Sequence, residues 1–492
     1  MREWSGYLQE LDKKVRLGRH AEVRRDLLGL NLRQIPREYF VRFARLFYRS
    51  NLPLTSLRLI GPAIHQTKRR MDPATSEEVA EYSVGLLRIG ASREAEHLLE
   101  GLAKSGLPKV HLYLAFVAIT QWDYQKAAGA LLQYLQHEDD PYQRLVAQTN
   151  LAAAQVFLGQ FAEAGRSLSS LRKQTKREGH LLLFANALEL SAQLSLANGD
   201  YERTEGFLEL AEATLKKSTA IDELFVRKWK TLLQLDRSRG RSGWGQWEEI
   251  RNQAFHRRHW ETIRENDFYK SVYGRDDDLF ARVYFGTPFS SYREYMKEKA
   301  KRQVVLPNYY DWQLKGGASR RGRVFNVSEG QEISGPSALR AGFLEHRCLQ
   351  VLASDIYRPV RLGALFGHLY PDEFFDAQSS PTRVHQVLRR LRRWLEAEGW
   401  PILIKGRGHA FALQASVPVR LRLSLSLVPA TSGELQLQEL ARCFQREAFS
   451  SSQAAQALGV SKRQINKLLA ADDHSLFEKV GSGPQTKYRS KS

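Results

Sequence analysis

Cysteine is nearly missing from this chain: its 492 residues include two, Cys348 and Cys443. Two thiols so far apart provide neither a disulfide framework nor a cysteine metal site, which fits a reducing compartment. No apolar run approaches the ~18–20 residues of a membrane span. The opening MREWSGYLQELDKK is charged from its start and lacks the apolar core of a signal peptide. These absences predict a cytoplasmic protein with no membrane role. Catalytic signatures are missing too: there is no GxxxxGK(S/T) phosphate loop, no HExxH, no GxSxG elbow and no acid pair at a useful spacing. His256, His259, Trp260 and the run Asp276-Asp277-Asp278 have the right chemistry for a metal or phosphate, but their spacing fits no ligand set. The acidic run, following Gly274-Arg275, reads as a helix N-terminus. The expectation is no catalytic residue, no metal and no cofactor.

What the chain has is length and positive charge. At 492 residues it exceeds one core and predicts several domains. Its net charge of +20 favours a polyanionic partner, most simply nucleic acid. From Leu339 onward there are 22 Lys/Arg against 13 Asp/Glu, and Arg383 to Arg407 holds seven basic residues and two acidic ones. Such a stripe says more about binding than the total does.

The first 235 residues are Leu/Ala-rich with helical periodicity. A motif recurs in them: a turn residue, an aromatic or its equivalent two positions later, then a small or apolar residue three further on. The best copies are Gly159…Ala164 and Gly199…Thr204; weaker ones are Trp122…Ala127, Gly90…Ala95, Leu52…Leu57 and Gly18…Val23. They recur every ~32–40 residues, the length of a helix pair. Over about residues 4–235 this pattern resembles the tetratricopeptide repeat family, although closing prolines are mostly missing. The resemblance implies an α-α superhelical repeat domain whose concave face holds a peptide, a protein or a second copy of the chain.

Residues 240–318 break the pattern. Gly240–Gly245 reads as a boundary, 261–270 and 292–303 as amphipathic helices with a turn at 285–289, and 315–319 as a flexible joint. The segment is expected to connect the repeats to a C-terminal module.

That module carries the most informative stretch, residues 382–413. Val384, Val387, Leu388, Leu391, Trp394 and Leu395 form one apolar stripe at helical spacing. Arg383, His385, Gln386, Arg389, Arg390 and Arg393 are placed outside it. Gly399 ends the helix, and a hairpin follows with strands at 402–405 and from His409, a Gly406-Arg407-Gly408 tip, and Lys405, Arg407 and His409 as polar groups. A basic helix followed by a basic hairpin is the ground plan of a winged helix, with the helix in the major groove and the wing on neighbouring backbone or minor groove. Upstream lie strand-like pieces at 324–327 and 331–334, and helices at 341–354 and 361–369. In order and in two motifs, residues 323–413 resemble the DNA-binding domain of the OmpR/PhoB family of bacterial response regulators. Leu388-Arg389-Arg390-Leu391-Arg392-Arg393-Trp394-Leu395 matches the family's Ile-Arg-Arg-Leu-Arg-Lys-Lys-Leu run. Ile404-Lys405-Gly406-Arg407-Gly408-His409 matches its Val-Arg-Gly-x-Gly-Tyr wing, with His409 where the family has Tyr. No receiver domain precedes the module. The resemblance implies a recognition helix at 381–398, a wing at 402–413, and a loop at 370–380 able to touch RNA polymerase.

Beyond it, 417–428 alternates as a half-buried strand and is expected to bridge two modules. Ala454-Ala455-x-x-Leu458-Gly459-Val460-Ser461-x-x-x-Ile465-x-x-Leu468-Leu469 has helix-turn-helix spacing. Ser461 caps a second recognition helix that offers Lys462, Arg463, Gln464, Asn466 and Lys467; Gln and Asn are the types that read adenine. A second wing would carry Lys487 and Arg489.

The predicted architecture is mainly α: a tetratricopeptide-like domain at 1–239, a connector at 240–318, an OmpR/PhoB-like winged helix at 319–415, and a strand with a second helix-turn-helix or winged-helix domain at 416–492. The predicted function is a sequence-specific transcriptional regulator that binds double-stranded DNA, with a protein or peptide in the repeat groove and homo-oligomerisation open. The competing expectation is a non-enzymatic interaction scaffold whose winged folds bind protein or RNA.

Overall fold

In the computed structural model, residues 4–16, 19–65, 72–216, 223–300, 302–315, 323–424, 432–445, 447–472, 476–481, 483 and 486–491 are described. The chain divides into two units. The first comprises Met1–Tyr284, Phe289–Val305 and Phe374–Gln378; the second comprises Phe285–Pro288, Leu306–Glu373 and Ser379–Ser492.

The first unit is an array of consecutive helix pairs. The pairs are α1 (Trp4–Arg16) with α2 (His20–Leu28), α3 (Phe40–Arg49) with α4 (Pro53–Ile64), α5 (Ser76–Ile89) with α6 (Ser92–Gly101), and α7 (Lys109–Thr120) with α8 (Tyr124–His137). They continue as α9 (Pro141–Phe157) with α10 (Phe161–Arg177), α11 (Leu181–Ala197) with α12 (Tyr201–Leu215), and α13 (Leu224–Arg237) with α14 (Trp244–Arg257). The five copies of the sequence motif from Leu52…Leu57 onward lie at the turn within a pair, and Gly18 of the first copy lies outside the described residues. The motif's middle position opens the second helix in every copy but Leu52…Leu57, where Pro53 does so, and its last residue (Val23, Leu57, Ala95, Ala127, Ala164 or Thr204) is at most 1% exposed. Only a small or well-fitted side chain lets the two helices approach that closely. Gly90, Gly159 and Gly199 turn the chain at positive φ, and Trp122 does the same at φ 61°. That conformation costs a non-glycine residue ~1 kcal/mol or more. The Trp122 ring offsets it with contacts to Tyr124, Phe157 and Tyr292, the last at 4.4 Å.

The core passes from pair to pair. One cluster (Leu112, Ala115, Leu131, Tyr134, Leu151) joins α7, α8 and α9, and the next (Leu145, Ala164, Leu168, Leu171, Leu183) joins α9 to α11. A third runs from Phe184 to Trp247 and joins α11 to α14. Gly240–Gly245, expected to be a boundary, therefore belongs to the turn of a further pair whose Trp247 is fully buried. After it come α15 (Trp260–Tyr273), α16 (Asp277–Phe285) and α17 (Ser290–Lys299). Asp276 accepts the Leu279 N–H at 2.9 Å, so the acidic run does start a helix. His259 stacks on Phe225 at 5.5 Å. Helix α17 lies against the repeat turns: Tyr295 stacks on Phe157 at 4.6 Å, and Ser291 donates to the Trp122 carbonyl at 2.8 Å. The expected connector is thus shared between units, α14–α17 chiefly with the repeats and residues 306–315 with the second unit.

The second unit opens with β1 (Tyr309–Gln313), β2 (Val324–Asn326) and β3 (Gln331–Glu332). Next come α18 (Leu344–Ser354), β4 (Val360–Arg361), α19 (Leu362–Leu369), α20 (Ser380–Ala397), β5 (Ile402–Arg407), β6 (Ala410–Ala415) and β7 (Arg420–Ser424). It closes with α21 (Ser432–Phe444), β8 (Phe449–Ser450), α22 (Ser451–Leu458), α23 (Lys462–Ala470), β9 (Phe477–Val480) and β10 (Lys487–Ser490). Strand β7 is where the alternating segment was expected, with Leu421 and Leu423 fully buried. Rather than bridging modules it completes one sheet, of order β1-β7-β2-β3: antiparallel to β1 and parallel to β2. On its other face Arg422 makes a two-point pair with Asp311 at 2.8 and 3.0 Å and covers Tyr309. Residues 425–428 of the expected strand and 316–319 of the expected joint lie outside the described residues. No described helix is long and apolar enough to cross a membrane.

Candidate nucleic-acid interface

Helix α20 forms because its apolar residues recur at helical spacing and Pro381 sits in the first turn, where its missing N–H costs nothing. Val384, Val387, Leu388, Leu391 and Leu395 are buried, and Trp394 packs edge-on against Phe325 at 5.6 Å. Arg323, on the strand side, donates to the Glu398 carbonyl at 2.8 Å and so caps the helix end. This residue carries no local signal for the role.

The outward residues divide into two groups. His385, Gln386, Arg389 and Arg393 are exposed; His385, Arg389 and Arg393 follow at four-residue steps on one face. Arg389 and Arg393 are unpaired among the described residues. Arg383 and Arg390 are committed elsewhere. Arg383 grips the Glu373 carboxylate with two nitrogens and lies over Tyr370 at 3.9 Å. Its hydrogen bonds hold Glu373 below the usual carboxylate range. Arg390 reaches Glu345, in the first turn of α18, at 2.5 Å. An Arg–carboxylate pair satisfies donors a base or phosphate would need, so these two residues position elements in the unliganded chain. Arg392, absent from the expected set, donates to the Ile404 carbonyl at 2.9 Å and ties β5 to the helix.

The hairpin β5–β6 pairs Arg407 with Ala410, and β4 adds on its far side to give the order β4-β6-β5. Its two-residue tip is Gly408-His409, both at positive φ, rather than Gly406-Arg407-Gly408. This is the tight turn that matches strand twist. Lys405, Arg407 and His409 are exposed. In the loop at 370–380, Phe375 and Ala377 are buried while residues 371–374 are exposed.

A second group repeats the plan: α21, β8, α22, α23, then the hairpin β9–β10, with sheet order β8-β10-β9. Its core gathers Leu440, Phe449, Ala454, Leu458, Ile465 and Phe477. Gly459 turns the chain at φ 63°, and a Cβ there would meet the Arg340 guanidinium at 2.6 Å. Ser461 caps α23 through a reciprocal box: its Oγ accepts the Gln464 N–H at 3.3 Å, and Gln464 Oε1 accepts the Ser461 N–H at 3.0 Å. Gln464, expected to read adenine, thus spends its carbonyl on the cap. The S-x-x-Q spacing was the available signal. Lys462, Arg463, Asn466, Lys467, Lys487 and Arg489 are exposed.

No protein-family model and no curated protein matches the chain. Among solved structures it is similar to a Rap protein complexed with competence and sporulation factor, at 12% identity and TM-score 0.42, over 61% of this chain and 87% of that one. It is also similar to a human IFIT1 dimer with m7Gppp-AAAA, at 15% identity and TM-score 0.31, over 60% of this chain and 67% of that one. A monomeric IFIT1 mutant with Gppp-AAAA aligns at 14% identity and TM-score 0.30, over 60% and 68%.

Proposed function

We propose that the chain is a non-enzymatic nucleic-acid-binding regulator: two winged-helix heads in the second unit bind duplex DNA, and the repeat array holds a protein or peptide. The observation that carries this reading is the exposed, unpaired face of Arg389 and Arg393 on α20, beside a hairpin bearing Lys405 and Arg407. The order helix–strand–helix–helix–hairpin, occurring twice, supports the winged-helix assignment. Arg389 and Arg393 serve phosphates or base edges in the major groove; Lys405 and Arg407 serve the flanking backbone. Asn466, Lys462 and Lys467 make the corresponding set on the second head.

A second reading, a scaffold whose basic faces hold an acidic protein, draws support from the internal use of Arg383, Arg390 and Gln464, which thins the base-reading set. Titration of the full-length protein with labelled duplex DNA, single-stranded DNA and RNA over a range of salt separates them. Duplex binding should weaken steeply with salt, and Arg389→Ala with Arg393→Ala should lower the log–log salt slope by about 2, at ~0.9 for each phosphate no longer neutralised. An absence of duplex binding, or a double variant that binds as the parent does, moves the scaffold reading to first place.

A further inference from the structure

Five residues from well beyond the repeat sequence, Phe374–Gln378, belong to the first unit. They meet side chains of α4, α5 and α6. The Phe375 N–H donates to Glu94 Oε2 at 2.9 Å, and the Phe375 carbonyl accepts from the Tyr82 hydroxyl at 3.2 Å. Two residues on, the Ala377 carbonyl accepts from Arg58 Nε at 3.2 Å. The Phe375 side chain is fully buried and Ala377 nearly so, while Phe374 stays exposed with its ring 6.4 Å from that of His65. His65 Nε2 in turn lies 3.0 Å from the Tyr82 hydroxyl.

Three features define a recognition slot rather than ordinary packing. All three hydrogen bonds go to main-chain atoms of the segment, so they read its backbone and not one side chain. Specificity then rests on one deep anchor, the Phe375 ring, followed two residues later by a small residue. Glu94 Oε1 is buried and has no hydrogen-bond partner among the described residues. A buried acceptor left unmade costs about 1–3 kcal/mol. The chain's own segment therefore leaves one contact of the slot unfilled.

We infer that Arg58, Tyr82 and Glu94 form a binding slot for a short peptide anchored by phenylalanine, seen here filled by the chain's own Phe374–Gln378. This rests on the reading that the repeat array holds a peptide and gives that peptide its chemistry. The partner carries a phenylalanine, a small residue two positions later, and a donor for Glu94 Oε1. When it takes the slot it releases the residues that immediately precede α20 in the sequence.

The test uses the full-length protein and a fluorescein-labelled peptide with the sequence of residues 371–380. A tethered segment competes at an effective concentration of roughly millimolar, so the parent binds the free peptide weakly. Phe375→Ala in the protein vacates the anchor pocket and should tighten peptide binding at least about ten-fold. Adding Arg58→Ala should remove that gain, and a peptide whose own Phe375 is replaced by Ala should not bind. Equal binding by parent and Phe375→Ala protein, or by both peptides, overturns the inference. If the Phe375→Ala protein does not fold, amide exchange in the parent decides. Faster exchange at Phe375 with millimolar peptide supports the slot; unchanged exchange overturns it. Duplex binding does not use these residues, so failure here leaves the DNA titration to stand or fall alone.

Discussion

At the residue scale, the same side-chain chemistry divides between structure and recognition according to what stands three or four positions away. Gln464 and Asn466 both have the bidentate amide that suits adenine. Gln464 follows Ser461 by three and closes a capping box, whereas Asn466, equally exposed, takes no part in it. Replacing Gln464 by Ala should therefore cost about 0.5–1 kcal/mol of stability through the lost cap. Asn466→Ala should leave stability within about 0.5 kcal/mol and change duplex affinity instead. Thermal unfolding and the duplex titration, run on both variants, check the division. Loss of affinity without loss of stability in Gln464→Ala would return that residue to the recognition set. Arg383 and Arg390 illustrate the same point: Glu373 and Glu345 reach them through tertiary structure, at separations no helical spacing announces.

At the element scale, the hairpin's attachment matters more than its own charge. Arg392 bonds the Ile404 carbonyl from the helix, and β4 supports β6 from the other side. Arg392→Ala should loosen the hairpin by about 1 kcal/mol, the usual net worth of such a bond. Amides of β5 and β6 should then exchange faster while those of α20 do not. Equal exchange in variant and parent would mean that β4 alone holds the hairpin. Much of this level is legible in the sequence, because it is written in local periodicity. The motif copies from Leu52 to Thr204 mark five turns, the apolar stripe of α20 is the buried one, and Leu421 and Leu423 alternate as read. What escapes is long-range. The pairing of β7 with β1 joins residues over a hundred positions apart, and neither strand carries a mark of its partner. The seventh pair escapes for another reason: its turn, rich in glycine, has the composition of a linker, and only the burial of Trp247 distinguishes it. The hairpin tip slips by one residue because His409 adopts the positive φ usually left to glycine or asparagine.

At the scale of the whole molecule, the two units have separate cores, so unfolding should proceed in more than one transition. Two buried groups label the units with opposite pH dependence. Burial pushes Glu94, in the first unit, up to about 7. The folded chain then holds that proton more tightly than the unfolded one. Its contribution is full below the ordinary carboxyl range and is lost as pH rises through about 7. His346, in the second unit, accepts the Gly342 N–H on Nδ1 and donates from Nε2 to the Val327 carbonyl, and burial lowers its pKa. Its contribution is present above the ordinary histidine value and is lost as pH falls. The lowered values of His65 and His111 oppose Glu94 within the first unit, so single variants are needed to isolate each group. Between pH 5 and pH 8 the first transition of the parent should fall relative to Glu94→Gln by on the order of 2–3 kcal/mol, at 1.36 kcal/mol per pKa unit, with the second transition unmoved. His346→Gln should flatten the acid side of the second transition alone. Calorimetry at three pH values distinguishes the outcomes: if either variant moves both transitions together, the units do not unfold independently and the division of the chain into two separately stable cores is wrong.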